Sequence, residues 1–288
     1  PFGIIIMVFS IWKVKGEWAQ ARGESFDIIG SIIYSAMLFS IMFGFSRLPE
    51  RVGFFLICIG MIGIAVFAYW ELHTRAPILN IDLLMRNRAF THSNAAALIH
   101  YGATFAVGFL MSFYLQYIKG FSPQNTGIIL ISQPIVQALI SPVAGRISDK
   151  IEPRIVASIG MSITAAGLFL FVFLGADTGV LSIVLGLCML GFGFALFSSP
   201  NSNAIMSSVE GRFYGVASSM LATMRLLGQM FSMGIAMFIF AAYLGRVGIS
   251  PGLYPQLLKS IQAAFIVFGC LCILGIFASL TRGNVRQK

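Results

Sequence analysis

The sequence predicts an all-α polytopic membrane helix bundle, with about eight full transmembrane helices and the end of one more. Three observations carry that prediction. The chain of 288 residues is 58% hydrophobic and only 10% charged, where a soluble domain carries about 25% charged residues. Its apolar residues gather in stretches close to the ~20 residues that one crossing of the hydrocarbon core requires. These stretches show no alternation and are too long for barrel strands. Helices remain as the way to satisfy every backbone group in lipid.

Taken in order, residues 2–12 are apolar but too short to span, and they lack a cleavage-site pattern. They read as the end of a span, and the chain, which starts at Pro1, reads as a fragment. Full spans are expected at about 28–45, 53–70, 95–118, 127–144, 155–174, 179–197, 216–244 and 263–280. Between the second and third, residues 77–90 place Ile78, Ile81, Leu84 and Met85 at helical spacing, interrupted by Asp82, Arg86 and Arg88. That pattern predicts a short amphipathic helix on the membrane surface. The expected organisation is therefore a half-span at 1–12, a linker with an extra transmembrane pair at 13–76, the surface helix at 77–90 and a six-helix bundle at 91–288.

Connector charge sets the expected orientation. Alternate connectors carry thirteen and five of the nineteen basic residues, and Arg225 falls within a span. Lys and Arg accumulate in cytoplasmic loops. The C-terminus and the connector around residues 145–154 are therefore expected in the cytoplasm. The net charge of +9 has the same origin. No basic run of five residues supports a nucleic-acid partner.

The connector at 145–154 reads Gly-Arg-Ile-Ser-Asp-Lys-Ile-Glu-Pro-Arg. Gly145 is expected to end one helix in a left-handed cap, and Pro153 suits the first turn of the next. Asp149 can accept backbone N–H groups or pair with a cation. Lys150 and Arg154 hold the loop on its side of the membrane.

The spacing Gly145-x-Ile147-x-Asp149-Lys150-x-x-x-Arg154 resembles the cytoplasmic loop motif of the major facilitator superfamily, with Glu152 where glycine is usual and Pro153 where arginine is usual. The stretches 114–127, 198–206 and 215–225, with Phe26-Asp27-Ile-Ile-Gly30, are similar to its fourteen-span drug:proton antiporter branch. The resemblance covers essentially the whole chain. It implies the major facilitator fold, with residues 1–12 closing a sixth span, an inserted pair at 28–70, and a C-terminal bundle of two inverted three-helix repeats. It also implies a missing N-terminal six-helix half as partner, a substrate cavity between the halves, and residues 145–154 as a cytoplasmic gating loop in which Asp149 exchanges partners.

Intramembrane polar residues are the candidates for that cavity. Ser218, Ala222, Arg225, Gln229, Ser232 and Ala236 share one helical face. They form either a cavity wall that binds substrate or pairs with an acid in the missing half, or a packing face whose arginine satisfies neighbouring carbonyls. Gln133, Gln137 and Ser141 form a second stripe, beside Pro134 and Pro142, suited to gating or to interhelical hydrogen bonds. His100 is a candidate for the cavity or for a bond to a neighbouring helix. Asn201 and Asn203, after Pro200, read as caps or turn formers. Gly191 and Gly193 read as sites of tight helix packing.

The ten acids all fall in connectors or at span ends, so a proton-carrying carboxyl is expected in the missing half. No phosphate loop or H-E-x-x-H appears. The four cysteines sit in apolar stretches without metal spacing. No enzyme, cofactor or metal is indicated. The expected function is transport of small molecules across the cell membrane, as proton-coupled efflux of hydrophobic or amphipathic compounds. The alternatives are a solute importer of the same fold and a non-transporting membrane scaffold or sensor.

Overall fold

The computed structural model describes residues 2–13, 27–48, 50–74, 87–245 and 249–283. Among them, eight helical spans are long and apolar enough to cross a membrane. Helix α1, Phe2–Lys13, covers the initial apolar stretch. Helices α2 (Ile28–Ser46) and α3 (Arg51–His73) form a hairpin. Asp27 closes its open end. Its Oδ1 caps α2 by accepting from Gly30 N at 2.8 Å, and its Oδ2 accepts from Trp70 Nε1 at 2.8 Å.

Residues 77–86 of the expected surface helix lie outside the described residues. The last three of that segment, Arg88, Ala89 and Phe90, belong to α4, Arg88–Thr104, whose N-cap is Asn87. The third full span thus starts at Arg88 instead of residue 95. It is also interrupted. After a turn at Phe105 and Ala106, α5 runs over Val107–Phe113 and widens into a π turn at Tyr114–Ile118. The Ala106 N–H donates to Ser232 Oγ at 2.9 Å. In lipid a broken ladder needs such a substitute partner, and a serine from another helix supplies it.

The fourth span is α6 (Pro123–Leu130) and α7 (Ser132–Ser148). They step at Ile131, where Pro134 has no N–H to offer the Leu130 carbonyl. Helix α8 follows over Pro153–Leu170 and ends in a tight turn at Phe171–Phe173. Helices α9 (Val180–Ser207), α10 (Tyr214–Leu244) and α11 (Tyr254–Leu280) complete the bundle.

Helix α9 packs between α7 and α8 and touches α4, while α10 and α11 pack on α4 and α11 also on α8. Phe90, Tyr114, Phe171, Phe197, Phe265 and Phe268 are fully buried in the core they share. The α8–α9 seam closes to backbone contact at Gly160 and Gly193, where a Cβ on Gly193 would stand 2.7 Å from the Gly160 carbonyl oxygen.

The α2–α3 hairpin leans on α10. Leu227 joins Met37, Ile41 and Phe67 in one apolar cluster, Phe45 meets the Phe231 ring edge-on at 4.4 Å, and the Tyr34 hydroxyl pairs with Thr223 Oγ1 at 2.5 Å. Tyr34→Phe removes that hydrogen bond alone. It is expected to lower stability by about 0.6–1.5 kcal/mol, read as a small fall in Tm in detergent.

Candidate functional site

A cleft of about 270 Å³ opens where α4, α7, α9 and α10 converge. It is lined by Tyr101, Thr104, Phe105, Gly108, Leu130, Gln133, Pro134, Phe194 and Gln229. Gln133 is set in place from behind, because a Cβ on Gly191 of α9 would collide with the Gln133 carbonyl oxygen. The bare glycine lets α9 back directly onto the first turn of α7. Gln229 comes from α10, one turn beyond Arg225.

Arg225 is not among the residues that line the cleft and meets it only through Tyr101, which does. Its guanidinium carbon lies 5.0 Å from the centroid of the Tyr101 ring, and its Nε is buried without a hydrogen-bond partner among the described residues. Stacking on an aromatic face stabilises a desolvated cation by about 2 kcal/mol, which offsets part of the cost of at least ~2.5 kcal/mol for a cation at membrane depth.

Of the three glutamines expected at the cavity, Gln133 and Gln229 thus share one wall system. Gln137, one turn along α7, is half-buried and does not line the cleft. The α10 stripe divides. Gln229 lines the cleft and Arg225 stacks on its Tyr101 wall, whereas Ser232 and Ala236 are buried in the packing against α4 and α5.

His100 is corrected. It does not line the cleft but lies behind the Tyr101 and Phe194 walls. It is fully buried, with its ring 3.9 Å from Phe197 and 5.1 Å from Phe194. Both ring nitrogens lack a hydrogen-bond partner among the described residues. An unsatisfied buried polar group costs about 1–3 kcal/mol. His100→Phe, which keeps the ring contacts, is therefore expected to raise Tm and leave transport intact. Lost flux at an undiminished Tm would show a working role for the imidazole.

The connector at 145–154 is shorter than its sequence suggests. Helix α7 continues through Gly145 to Ser148, and only residues 149–152 form the turn. Gly145 is not a left-handed cap; it sits inside the helix, with Ser199 Oγ 3.1 Å from where a Cβ would be. Asp149 accepts from Asn203 Nδ2 at 3.3 Å, and the same amide nitrogen lies 3.2 Å from Ser148 Oγ. Lys150 is exposed and Arg154 half-buried, while Pro153 opens α8 as expected. Asn201 and Asn203 are not caps either. Both lie within α9 and bond to other helices.

Asn201 leads to a cluster that sequence reasoning missed. Its Nδ2 donates to the Ser93 carbonyl at 3.1 Å, and its Oδ1 accepts from Arg282 Nη1 at 3.0 Å. The same Nη1 donates to Ser93 Oγ at 3.2 Å. Arg282 is 1% exposed. Burial pulls its guanidinium down to about 10, with Glu152 acting the other way and Arg154 adding to the fall. Both that value and the ordinary arginine value lie above neutrality, so the group stays charged near pH 7. Glu71 was also missed. It is 4% exposed near the end of α3, beside Asp27 and Gly30. Both residues look like ordinary span-end charges in the sequence, and their burial depends on partners far away in the chain.

Residues 94–287 match the Major Facilitator Superfamily. The chain belongs to that superfamily. This facilitator is 29% identical over 269 residues to the riboflavin transporter RibZ of Clostridioides difficile, a match covering 93% of the chain and 56% of that protein. It is 23% identical to the multidrug resistance protein Stp of Mycobacterium tuberculosis, over 85% of the chain and 46% of that protein. The tetracenomycin C resistance and export protein of Streptomyces glaucescens is 24% identical, over 86% and 47%. The facilitator therefore spans about half the length of these curated relatives.

Proposed function

We propose that this chain forms the C-terminal part of a fourteen-span carrier that expels hydrophobic or amphipathic molecules in exchange for protons. The observation that carries the reading is the meeting of Gln133 and Gln229 on one aromatic-walled cleft. They come from the second span of each three-span repeat. A binding site at such a repeat interface is how carriers of this architecture hold cargo while one bundle rocks against the other. The other six-helix half would supply the opposite wall and the carboxyl that exchanges protons. Residues 149–152 would face the cytoplasm, with Asp149 releasing Asn203 when the bundles change partners. The names of an export protein and a multidrug resistance protein among the relatives support an outward direction.

Everted membrane vesicles from cells making the protein test this. A proton gradient should drive accumulation of ethidium or riboflavin, and a protonophore should abolish it. Gln133→Ala and Gln229→Ala should each slow accumulation several-fold. Flux indifferent to the gradient would overturn proton coupling. Import driven by the solute's own gradient would favour a solute importer, and absence of any flux would favour a scaffold or sensor.

A further inference from the structure

The third span breaks in the middle of the cleft wall. Tyr101 and Thr104 line the cleft before the break, Phe105 at the turn and Gly108 after it. Whatever sets the angle of the break therefore sets how Phe105 and Gly108 stand relative to Gln229 of α10, which lines the same cleft.

Two side chains act on the break. Thr104 Oγ1 donates back to the His100 carbonyl at 2.8 Å, a local bond of the kind that bends a helix. In an unbroken helix the Ala106 N–H would bond to the Gly102 carbonyl. It donates to Ser232 Oγ at 2.9 Å instead. Ala106 and Ser232 are both fully buried, so bulk water does not reach the pair.

Ser232 can reach that amide because α10 lies against α4 at backbone distance one turn earlier. A Cβ on Gly228 would stand 2.5 Å from the Leu98 carbonyl oxygen and 3.0 Å from Gly102 N. Beyond the break, Phe240 of α10 meets the rings of Phe109 at 5.7 Å and Phe113 at 5.6 Å. Helix α10 thus splints the broken span on both sides, with Ser232 at the break itself. An amide without a partner in lipid is costly. If the serine oxygen is removed, the nearest repair is to restore the bond to Gly102. That straightens the span and turns Phe105 and the residues after it, since a side chain inserted into the ladder is what holds such a kink.

We infer that Ser232 is a positioning residue of the cleft: through the Ala106 amide, its hydroxyl holds the third span at the bend that presents Phe105 to a flat aromatic cargo alongside Gln229. This rests on the reading of the cleft as the cargo site and adds the group that sets one of its walls.

The test reads the affinity of ethidium for the purified protein in nanodiscs, by its fluorescence, and KM and Vmax for its uptake in everted vesicles. Ser232→Ala should raise Kd and KM about fivefold, the scale of a lost ring stack, and leave Vmax per folded molecule unchanged. Ser232→Thr, which keeps the hydroxyl, should recover most of the affinity. Phe105→Leu should weaken binding by a similar factor, and adding Ser232→Ala to it should cost little more, because the two changes act on one contact. If Ser232 only held the bundle together, its loss would lower Tm and the yield of binding-competent protein, and the surviving molecules would bind with the parent's Kd. That outcome would overturn the inference, as would a Ser232→Ala effect that persists in full beside Phe105→Leu. Binding with the expected dependences but no proton-driven flux would sink the transport reading and leave the inference standing. Proton-driven flux with Kd and KM indifferent to Ser232 would do the reverse, and a parent protein that binds no ethidium would overturn both.

Discussion

Gly193→Val is expected to leave little folded protein in the membrane. A Cβ at this position would stand 2.7 Å from the Gly160 carbonyl oxygen and 2.8 Å from Thr164 N. Both are backbone atoms of α8, so no side-chain rotation relieves the clash. The contact is reciprocal, since a Cβ on Gly160 would lie 2.6 Å from Phe197 N. Two helices in lipid gain nothing from excluding water between them and associate through close packing. Prising this seam apart therefore removes the attraction that holds it. Overpacking costs about 1–3 kcal/mol where a core can yield; here the backbone must move, and alanine should already reach the upper end. The check is Tm and monodisperse yield in detergent, with Gly215→Ala as control. Gly215 is exposed in the first turn of α10, and nothing lies within 4 Å of the position a Cβ would take there, so that change should be neutral or mildly stabilising. A Gly193→Val protein that purifies with unchanged Tm would mean that the seam is looser than the geometry states.

The spans were legible because the lipid demands runs of apolar residues, and no tertiary contact alters that demand. Their ends were less so. Helix α9 runs on to Ser207 through Pro200, Asn201 and Asn203, residues that would terminate an isolated helix. They hold here because Asn201 and Asn203 bond to Ser93, Arg282, Ser148 and Asp149, which lie in or next to other helices. The interruption after Thr104 carries no proline and was invisible for a related reason. It depends on Ser232, 126 residues away.

The candidate site was half legible. Gln133, Gln229 and Arg225 stood out because polar side chains at membrane depth need a purpose. Tyr101, Phe105 and Phe194 did not, because an aromatic residue lining a cleft has the same sequence signature as one filling a core. His100 misled for the opposite reason. Polarity suggested the cavity, while the structure wraps the ring in Phe194 and Phe197. Sequence reports what a side chain is; which neighbour it meets depends on how six helices turn about their axes.

Arg282→Ala is expected to be the most damaging single polar change in the bundle. Arg282 follows α11 and, through Nη1, reaches Ser93 at the start of α4 and Asn201 inside α9. Glu152, at the start of α8, supports its charge. Four helix ends therefore meet at one guanidinium. Truncation breaks two hydrogen bonds from a charged donor, each contributing about 1.5–3 kcal/mol. It also empties the space of a fully buried side chain. One effect opposes the loss, because Nε and Nη2 are buried without partners among the described residues and their desolvation cost disappears with them. Methionine separates the two. Arg282→Met fills much of the volume and removes the buried charge, and replacing buried charge by an apolar side chain of similar size is often neutral. Alanine should lower the detergent Tm sharply, whereas methionine should lie much closer to the parent. If methionine falls as far as alanine, the hydrogen bonds hold the four ends together. If alanine matches the parent, the cluster contributes nothing to holding the ends, and the seams between helices bear that load alone.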